Sequence, residues 1–395
     1  MNQSRNKRPA KPVDNRPESW REAILDRRHL AFLGILILLV LALFVTFILL
    51  LPRNQAKQAL RASTELVTKE KRDLDAHILA HAQPLSDNIL TYLGGELRLE
   101  SYTGQQIFVH QLAAQSPVSW IEQGQAIVAD RNGHNLVLIQ DQAVAYEHQL
   151  DGSFAGASLS ASGQALIIDE LPNDKAKVHL IASDGQRILS LGFDKTGYPI
   201  TVSFTRDGKA FDVLILNSSG STLKTVVRRY DLSGSLLGQR TLEAENGLFF
   251  GLLHDNRDLP IIYSPSQLVK LNFDEESPIY SLDFASILGA ECVGSNLYLI
   301  ANTQNDAYYS LYQVDGEGQV SELSNNVGRA KLVNYSTNTN KLYFVVNNVL
   351  FSQKVDDQTS LRSASLDAEI LSYQVLPNGH INVLTGAGAR MIRTP

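Results

Sequence analysis

The stretch YPITVSFTRDGKAFDVLILNSSGSTLKTVVRRYDLSGSLLGQRTL (198–242) decides the reading of this chain. It holds four short runs of Val, Ile, Leu, Phe and Tyr, each punctuated by Gly, Asp, Asn or Ser. YPITVSF runs into a D-G turn, AFDVLIL into N-S-S-G, and TVVRRY into D-L-S-G, while SLLGQRTL closes the unit. Apolar, β-branched runs of this length between turn residues read as consecutive antiparallel strands.

The same order recurs on both sides. SPVSWIEQGQ (116–125) and SPIYSLDF (277–284) match the opening strand, HLIASDG (179–185) and YQVDGEG (312–318) the third, and QRILSLGF (186–193) the fourth. Units of about forty residues begin near 116, 154, 198, 248, 288 and 329. Three strands precede them at 88–112 and about three follow at 369–394. No part of 86–395 carries a helical period long enough to cover a parallel sheet. The expectation is an all-β β-propeller, whose ring closure hides the sheet edges. It has seven blades if a C-terminal strand completes the first blade, and eight if the two ends form separate blades. An array of two-sheet sandwiches is the alternative.

Upstream lies LAFLGILILLVLALFVTFILLL (30–51), twenty-two residues without a charge. About 20 apolar residues in a helix cross a hydrocarbon core, so Leu30 to Leu51 is expected to be a transmembrane helix inserted in a lipid bilayer. It exceeds the h-region of a cleaved signal peptide, and no A-x-A-like site follows. It has no small-xxx-small face and no ionisable group, so it reads as an anchor rather than a channel. Residues 1–29 carry eight basic and four acidic side chains, and residues 52–85 six and four. Since the whole chain is −6, residues 86–395 carry −12. A basic tail with Arg27 and Arg28 at the span predicts a cytoplasmic N-terminus and an extracytoplasmic domain. An anionic domain repels phosphates, which argues against nucleic acid.

The expected domain order is therefore a basic cytoplasmic tail (1–29), the span (30–51), a helical stalk (52–85) and the propeller (86–395). Residues 1–18 are expected to be disordered. Ser19 to Arg28 can form a capped turn, with Trp20 at the headgroups. In the stalk, Leu60, Val67 and Leu74 recur every seven residues and Ile78 follows, but Ser63, Glu70 and His77 leave the seam half polar. That allows weak dimerisation at most, and Pro84 is expected to end the helix.

Chemistry-bearing patterns are sparse. His77 and His81 have ligand spacing on a helix, but no Glu lies between them and no third ligand is placed, so a solvated face is the better reading. Asp151–Gly152, Asp184–Gly185, Asp207–Gly208 and Asp315–Gly316 read as hairpin turns, since they lack the extra carboxylates of a Ca²⁺ site. Gly386–Ala387–Gly388 opens no helix and reads as a turn. Cys292, the single cysteine, reads as a buried small hydrophobe. A large exported domain without disulfides fits a bacterial surface or periplasmic setting better than a eukaryotic secretory one, so the span is expected in a bacterial cytoplasmic membrane. Phe249, Phe250, Tyr263, Tyr280, Tyr308, Tyr309 and Tyr312 read mostly as interblade core, with a minority at a propeller mouth. Docking tryptophans of quinone propellers, sialidase turns, Trp-Asp marks and a G-x-S-x-G elbow are not found. The chain is therefore expected to be non-enzymatic, with no catalytic, cofactor-binding or metal-binding residues.

The order of tail, span, stalk and propeller resembles an uncharacterised clostridial-type family of single-pass, membrane-anchored propeller proteins, a domain of unknown function within the WD40/quinoprotein-like superfamily. ILTYLGGELRLESYTGQQIFVHQL near the domain start, the YPITVSFTRDG block and KTVVRRYDLSG (224–234) carry the resemblance. It implies fold and placement, and it transfers no catalytic residue. More distantly, the domain looks like the propeller lipoproteins that scaffold outer-membrane protein assembly, although no lipobox cysteine is present. The function expected is a membrane-anchored protein-interaction or scaffold module of a bacterial envelope complex. The alternative is a sensor or enzyme that takes a sugar, peptide or other small molecule at the central mouth.

Overall fold

A computed structural model describes residues 67–393, apart from 123, 173–174, 194–196, 220, 244–247, 305–307, 325–330, 356 and 358–359. The tail, the apolar run Leu30 to Leu51 and stalk residues 52–66 lie outside the described residues. Among the described residues no helix is long and apolar enough to cross a membrane.

Eight antiparallel sheets of four strands each make up the fold. Blades 1 to 7 take residues 82–111, 117–149, 153–193, 198–243, 251–281, 286–324 and 331–365 in order. Blade 8 combines three strands of 370–393 with Val67–Asp73. The six repeats read in the sequence are blades 2 to 7. The first strands of successive blades contact one another from blade 2 round to blade 8, and on to blade 1. They therefore line the ring axis, and each later strand steps outward.

Burial explains the residue choice along each blade. The second strands are buried on both faces, so Ala126 to Ala129, Ala165 to Ile168 and Val213 to Ile215 are continuous apolar runs. The outermost strands have one face on solvent, and Leu236–Glu243 alternates exposed and half-buried residues over most of its length. The core lies between blades. Leu166, Ile168, Val178 and Leu180 of blade 3, for example, pack against Val202, Phe211, Val213 and Ile215 of blade 4.

One turn recurs between third and fourth strands. In S-Y-T-G (101–104), A-S-D-G (182–185), D-L-S-G (231–234) and D-G-E-G (315–318), the glycine N–H donates to the carbonyl three residues back. The glycine φ is +83°, +85°, +88° and +82° respectively, which L side chains rarely adopt. The turn also packs on the preceding blade: a Cβ on Gly318 would lie 2.0 Å from the Tyr280 ring. The signature thus sets both a hairpin and an interblade seam.

Two sequence expectations are corrected by residues 67–85. From Val67 onward the helical stalk does not exist. Val67–Asp73 is a strand, the only helix in this part is the four-residue Ala76–Leu79, and Ala82–Leu85 is again a strand. Pro84 ends no helix; it sits buried in that last strand. The heptad seam is gone with the helix, because Val67 lies on an outermost strand and Leu74 packs against the propeller core. The blade count follows. Ala82–Leu85 gives blade 1 its own innermost strand, and Val67–Asp73 pairs with Gly388–Arg393 to finish blade 8. The ring therefore has eight blades rather than seven, and its last blade is completed by an N-terminal strand. The seam between blades 8 and 1 joins an apolar cluster, with Ile89 against Leu384 and Met391, to a set of polar bonds. Asn382 Nδ2 donates to the Ser86 and Asn88 carbonyls at 2.8 Å each, and Tyr102 donates its hydroxyl to Asn382 Oδ1. Arg72 meets Glu100 at 2.8 Å and the Ser101 carbonyl at 3.1 Å.

Candidate functional site in the axial channel

Three clusters of acidic and basic side chains are candidates for chemistry, and two of them are spent on structure. In the first, Asp212 on the second strand of blade 4 is fully buried. Arg229 on the neighbouring strand grips it with two bonds of 2.9 and 2.7 Å. His254, on the innermost strand of blade 5, places Nε2 2.7 Å from Asp212 Oδ2, and its Nδ1 is 3.3 Å from Ser203 Oγ. A Ser–His–Asp chain results, but its electrostatics oppose nucleophilic catalysis. The carboxylate that should stabilise a charged imidazole is already neutralised by the guanidinium. Arg229 further donates to the Asp258 carbonyl at 2.6 Å and lies 5.1 Å from the centre of the Phe273 ring. The cluster staples blade 4 to blade 5.

The second cluster joins Asp169, His179 and Asp151, whose potential ligand atoms lie within 4.8 Å of one another. The Asp169 carboxylate accepts the Asp151 and Gly152 amides at 3.0 and 2.9 Å and meets His179 Nε2 at 3.0 Å. Asp151 holds Lys177 at 2.7 Å. These donors already occupy the oxygens a cation would need, so the group anchors the connection entering blade 3. Asp130 repeats the device one blade earlier, accepting the Gln115 and Ser116 amides at 3.0 Å each.

The third cluster faces the axis. Glu122 ends the innermost strand of blade 2, Arg206 follows that of blade 4, and Glu291 lies near the end of that of blade 6. Glu122 accepts the Leu159 amide of blade 3 at 2.9 Å. Burial pushes its carboxyl above the ordinary carboxylate range, against the Leu159 amide, the Trp120 indole and the Ser158 hydroxyl. Arg206 is fixed by donating to the His254 carbonyl at 3.2 Å and the Cys292 carbonyl at 2.7 Å. Burial pushes Glu291 up to about 7, opposed by the Arg206 charge and the Cys292 amide and reinforced by the charge of Glu122. Opposite Glu122 in register, Gln125 is 5% exposed; its Nε2 donates to the Ser160 carbonyl at 2.8 Å, while its Oε1 has no partner.

Exposed apolar residues also lie on some of the innermost strands. Blades 3, 4, 6 and 8 each carry a one-residue bulge in that strand, at Ala155, Ile200, Leu288 and Leu371. A bulge re-aims its extra residue out of the ladder. Leu288 and Leu371 are 42% and 38% exposed, and Trp120 and Phe250 beside the axis are 43% and 45% exposed. Because every blade runs outward in the same order, all innermost strands point the same way. Leu288 and Leu371 therefore come earlier along their strands than the level of Glu122 and Glu291.

The residues singled out in the sequence fall mostly on turns and core. Asp184, Asp207 and Asp315 accept backbone amides in their own turns, whereas Asp151 sits in the link between blades 2 and 3. His77 and His81 are exposed edge-to-face neighbours, 5.9 Å between ring centres, and join no metal group among the described residues. Gly386–Ala387–Gly388 lies at the final hairpin. Cys292 is 1% exposed, and burial pushes its thiol up to about 12. Phe249 and Tyr312 are core, while Phe250 and Tyr308 are exposed. Sequence reasoning missed Asp169, Asp212 and Glu291. Each had a readable signal, an acid embedded in an apolar strand (LIIDE, FDVLIL, GAECV).

Residues 60–241 match a family of unknown function (DUF5711). The match takes in the closing strand and most of blades 1 to 4. No curated protein matches the chain. Among solved structures, BamB from Moraxella catarrhalis is similar at 13% identity with a TM-score of 0.53, over 84% of this chain and 100% of that one. The Dos1 propeller is similar at 8% identity with a TM-score of 0.55, over 85% and 96%. The WD40 domain of Pan2 from Neurospora crassa gives 10% and 0.50, over 71% and 89%. At such identities the likeness is one of fold: an all-β propeller of the BamB and WD40 kind.

Proposed function

We propose that this chain is a non-enzymatic, single-pass membrane protein whose extracytoplasmic propeller docks protein partners within a bacterial envelope assembly. One observation carries the reading. The buried acid–base groups that resemble catalytic or metal constellations are tied up in bonds that join strands and blades, whereas the innermost strands carry two partly exposed carboxylates, Glu122 and Glu291, and the exposed apolar side chains Trp120, Leu288 and Leu371. That is the distribution of a recognition surface on a rigid scaffold. The uncharged run Leu30 to Leu51 and the basic tail before it support the anchoring and the orientation. Crosslinking in intact membranes followed by affinity capture tests the reading, with a reproducible partner as the expected result. Failure to recover one across several crosslinker chemistries would sink it. Reporter fusions after residues 29 and 66 test the orientation: protection of the first and exposure of the second to external protease is expected.

A second reading, a sensor or enzyme acting on a small molecule at the channel mouth, is favoured by the charged groups of blades 2, 4 and 6 around one axis. Thermal-shift screening of the full chain against sugars, peptides and quinones separates it from the first.

A further inference from the structure

We infer that the axial channel receives a lysine or arginine side chain presented by the partner protein, its aliphatic stem against Trp120, Leu288 and Leu371 and its charged head between Glu122 and Glu291. This rests on the partner-docking reading and specifies its contact.

The argument starts from charge. Glu122 and Glu291 approach the axis from opposite sides of an eight-membered ring, and the fixed guanidinium of Arg206 supplies a single compensating charge. With both carboxylates ionised these three groups carry one uncompensated negative charge, and a second cation relieves it. An independent observation agrees. The acceptor Gln125 Oε1 is buried without a donor, on the same sheet face as Glu122 and beside the same segment of blade 3. A site with two carboxylates and an orphan acceptor lacks hydrogen-bond donors, and an ammonium supplies three, a guanidinium five.

Shape narrows the occupant further. Trp120 and Glu122 are two residues apart on one strand, about 6.6 Å along it, and Leu288 precedes Glu291 by about 10 Å at ordinary strand rise. An occupant must therefore be apolar for most of a side-chain length and cationic at its tip. Lysine and arginine bury an aliphatic stem and keep a charged head, and no other protein side chain has that profile. A hydrated divalent ion would leave the apolar rim unused.

The test uses the full chain in nanodiscs with Trp20→Phe, which leaves Trp120 as the single tryptophan. The probe is the acetylated, amidated peptide Ala-Leu-Lys-Leu-Ala, titrated against Trp120 fluorescence beside versions with norleucine or glutamate in place of lysine. The lysine peptide is expected to bind about tenfold or more tighter than the norleucine one, the size of a hydrogen-bonded charge contact. Glu122→Gln and Glu291→Gln should each remove most of that preference while retaining wild-type circular dichroism. Leu371→Ser, at an exposed position, should weaken both peptides alike. Equal binding of the lysine and norleucine peptides, unchanged binding by both Gln variants, or no binding at millimolar peptide overturns the inference. Binding of free lysine amide as tight as that of the peptide overturns the assignment to a protein partner. A crosslinked partner that persists in Glu291→Gln membranes sinks the channel contact and leaves partner docking standing, whereas loss of every partner from wild-type membranes sinks the docking itself.

Discussion

Asp212→Ala probes the staple between blades 4 and 5. The side chain of Asp212 is 0% exposed and that of Arg229 is 15% exposed, so the substitution strands a guanidinium in a poorly solvated site. Arg229 keeps its bond to the Asp258 carbonyl and its place near the Phe273 ring, which offsets part of the loss. His254 loses its 2.7 Å partner at the same time. Removing one member of a buried pair costs about 3–5 kcal/mol, and the remaining Arg229 contacts place the expected value near the lower end. Urea unfolding of residues 62–395, a single compact unit, measures it by far-ultraviolet circular dichroism. Replacing both charges, with Asp212→Leu and Arg229→Met, should recover much of the loss, because no charge is then left unpaired. Asp231→Ala, at a surface turn where the carboxylate meets Ser233 and Ser235, is the comparison and should cost much less. A cost below about 1 kcal/mol for Asp212→Ala would refute the view that this cluster is structural.

Three further outcomes are expected. Gly318→Ala should cost well over 1 kcal/mol, because its Cβ would meet Tyr280 as well as a φ of +82°, whereas Gly208→Ala at +66° faces open space and pays the backbone term of about 1–2 kcal/mol alone; thermal unfolding of the pair checks the ordering. The pH profile of stability should carry the mark of Glu291. Its folded pKa is raised by burial, so the folded state holds the proton longer than the unfolded one, and stability present below pH 4.5 is lost progressively up to about pH 7. Glu122, Arg206, Tyr263, Tyr373 and Cys292 surround it; Glu291→Gln should flatten the slope between pH 5 and 7, and an unchanged slope would assign it to another group. Finally, a chain starting at residue 75 lacks the outermost strand of blade 8, leaves the Gly388–Arg393 edge unpaired, and should associate in sedimentation experiments while the chain from residue 62 stays monodisperse.

The repeat was legible because its punctuation is physical. D-L-S-G and D-G-E-G mark the same left-handed turn, and the apolar runs between them mark strands buried on both faces. Residues 67–85 misled because VTKEKRD is rich in Lys and Glu and is almost wholly exposed, so neither period two nor an apolar face shows in it. Local propensity there favours a helix, and pairing with GARMIR overrides it. The difference between seven and eight blades hinged on those residues. The channel site was legible only in fragments. Glu122, Arg206 and Glu291 stand 84 and 85 positions apart in the sequence, and ring geometry alone brings them together.

The pairing of Val67 with Arg393 sets a clock on the molecule. The strand made first in the ring is bonded to the strand made last, so the circle cannot close until Arg393 has been made. Until then Val67–Asp73 has no sheet to join, and Tyr102 of blade 1 has no Asn382 to bond. Contacts that span almost the whole chain are slow to find. The nascent ring therefore stays open from the emergence of Val67 to that of Arg393, the period in which it most depends on whatever escorts it.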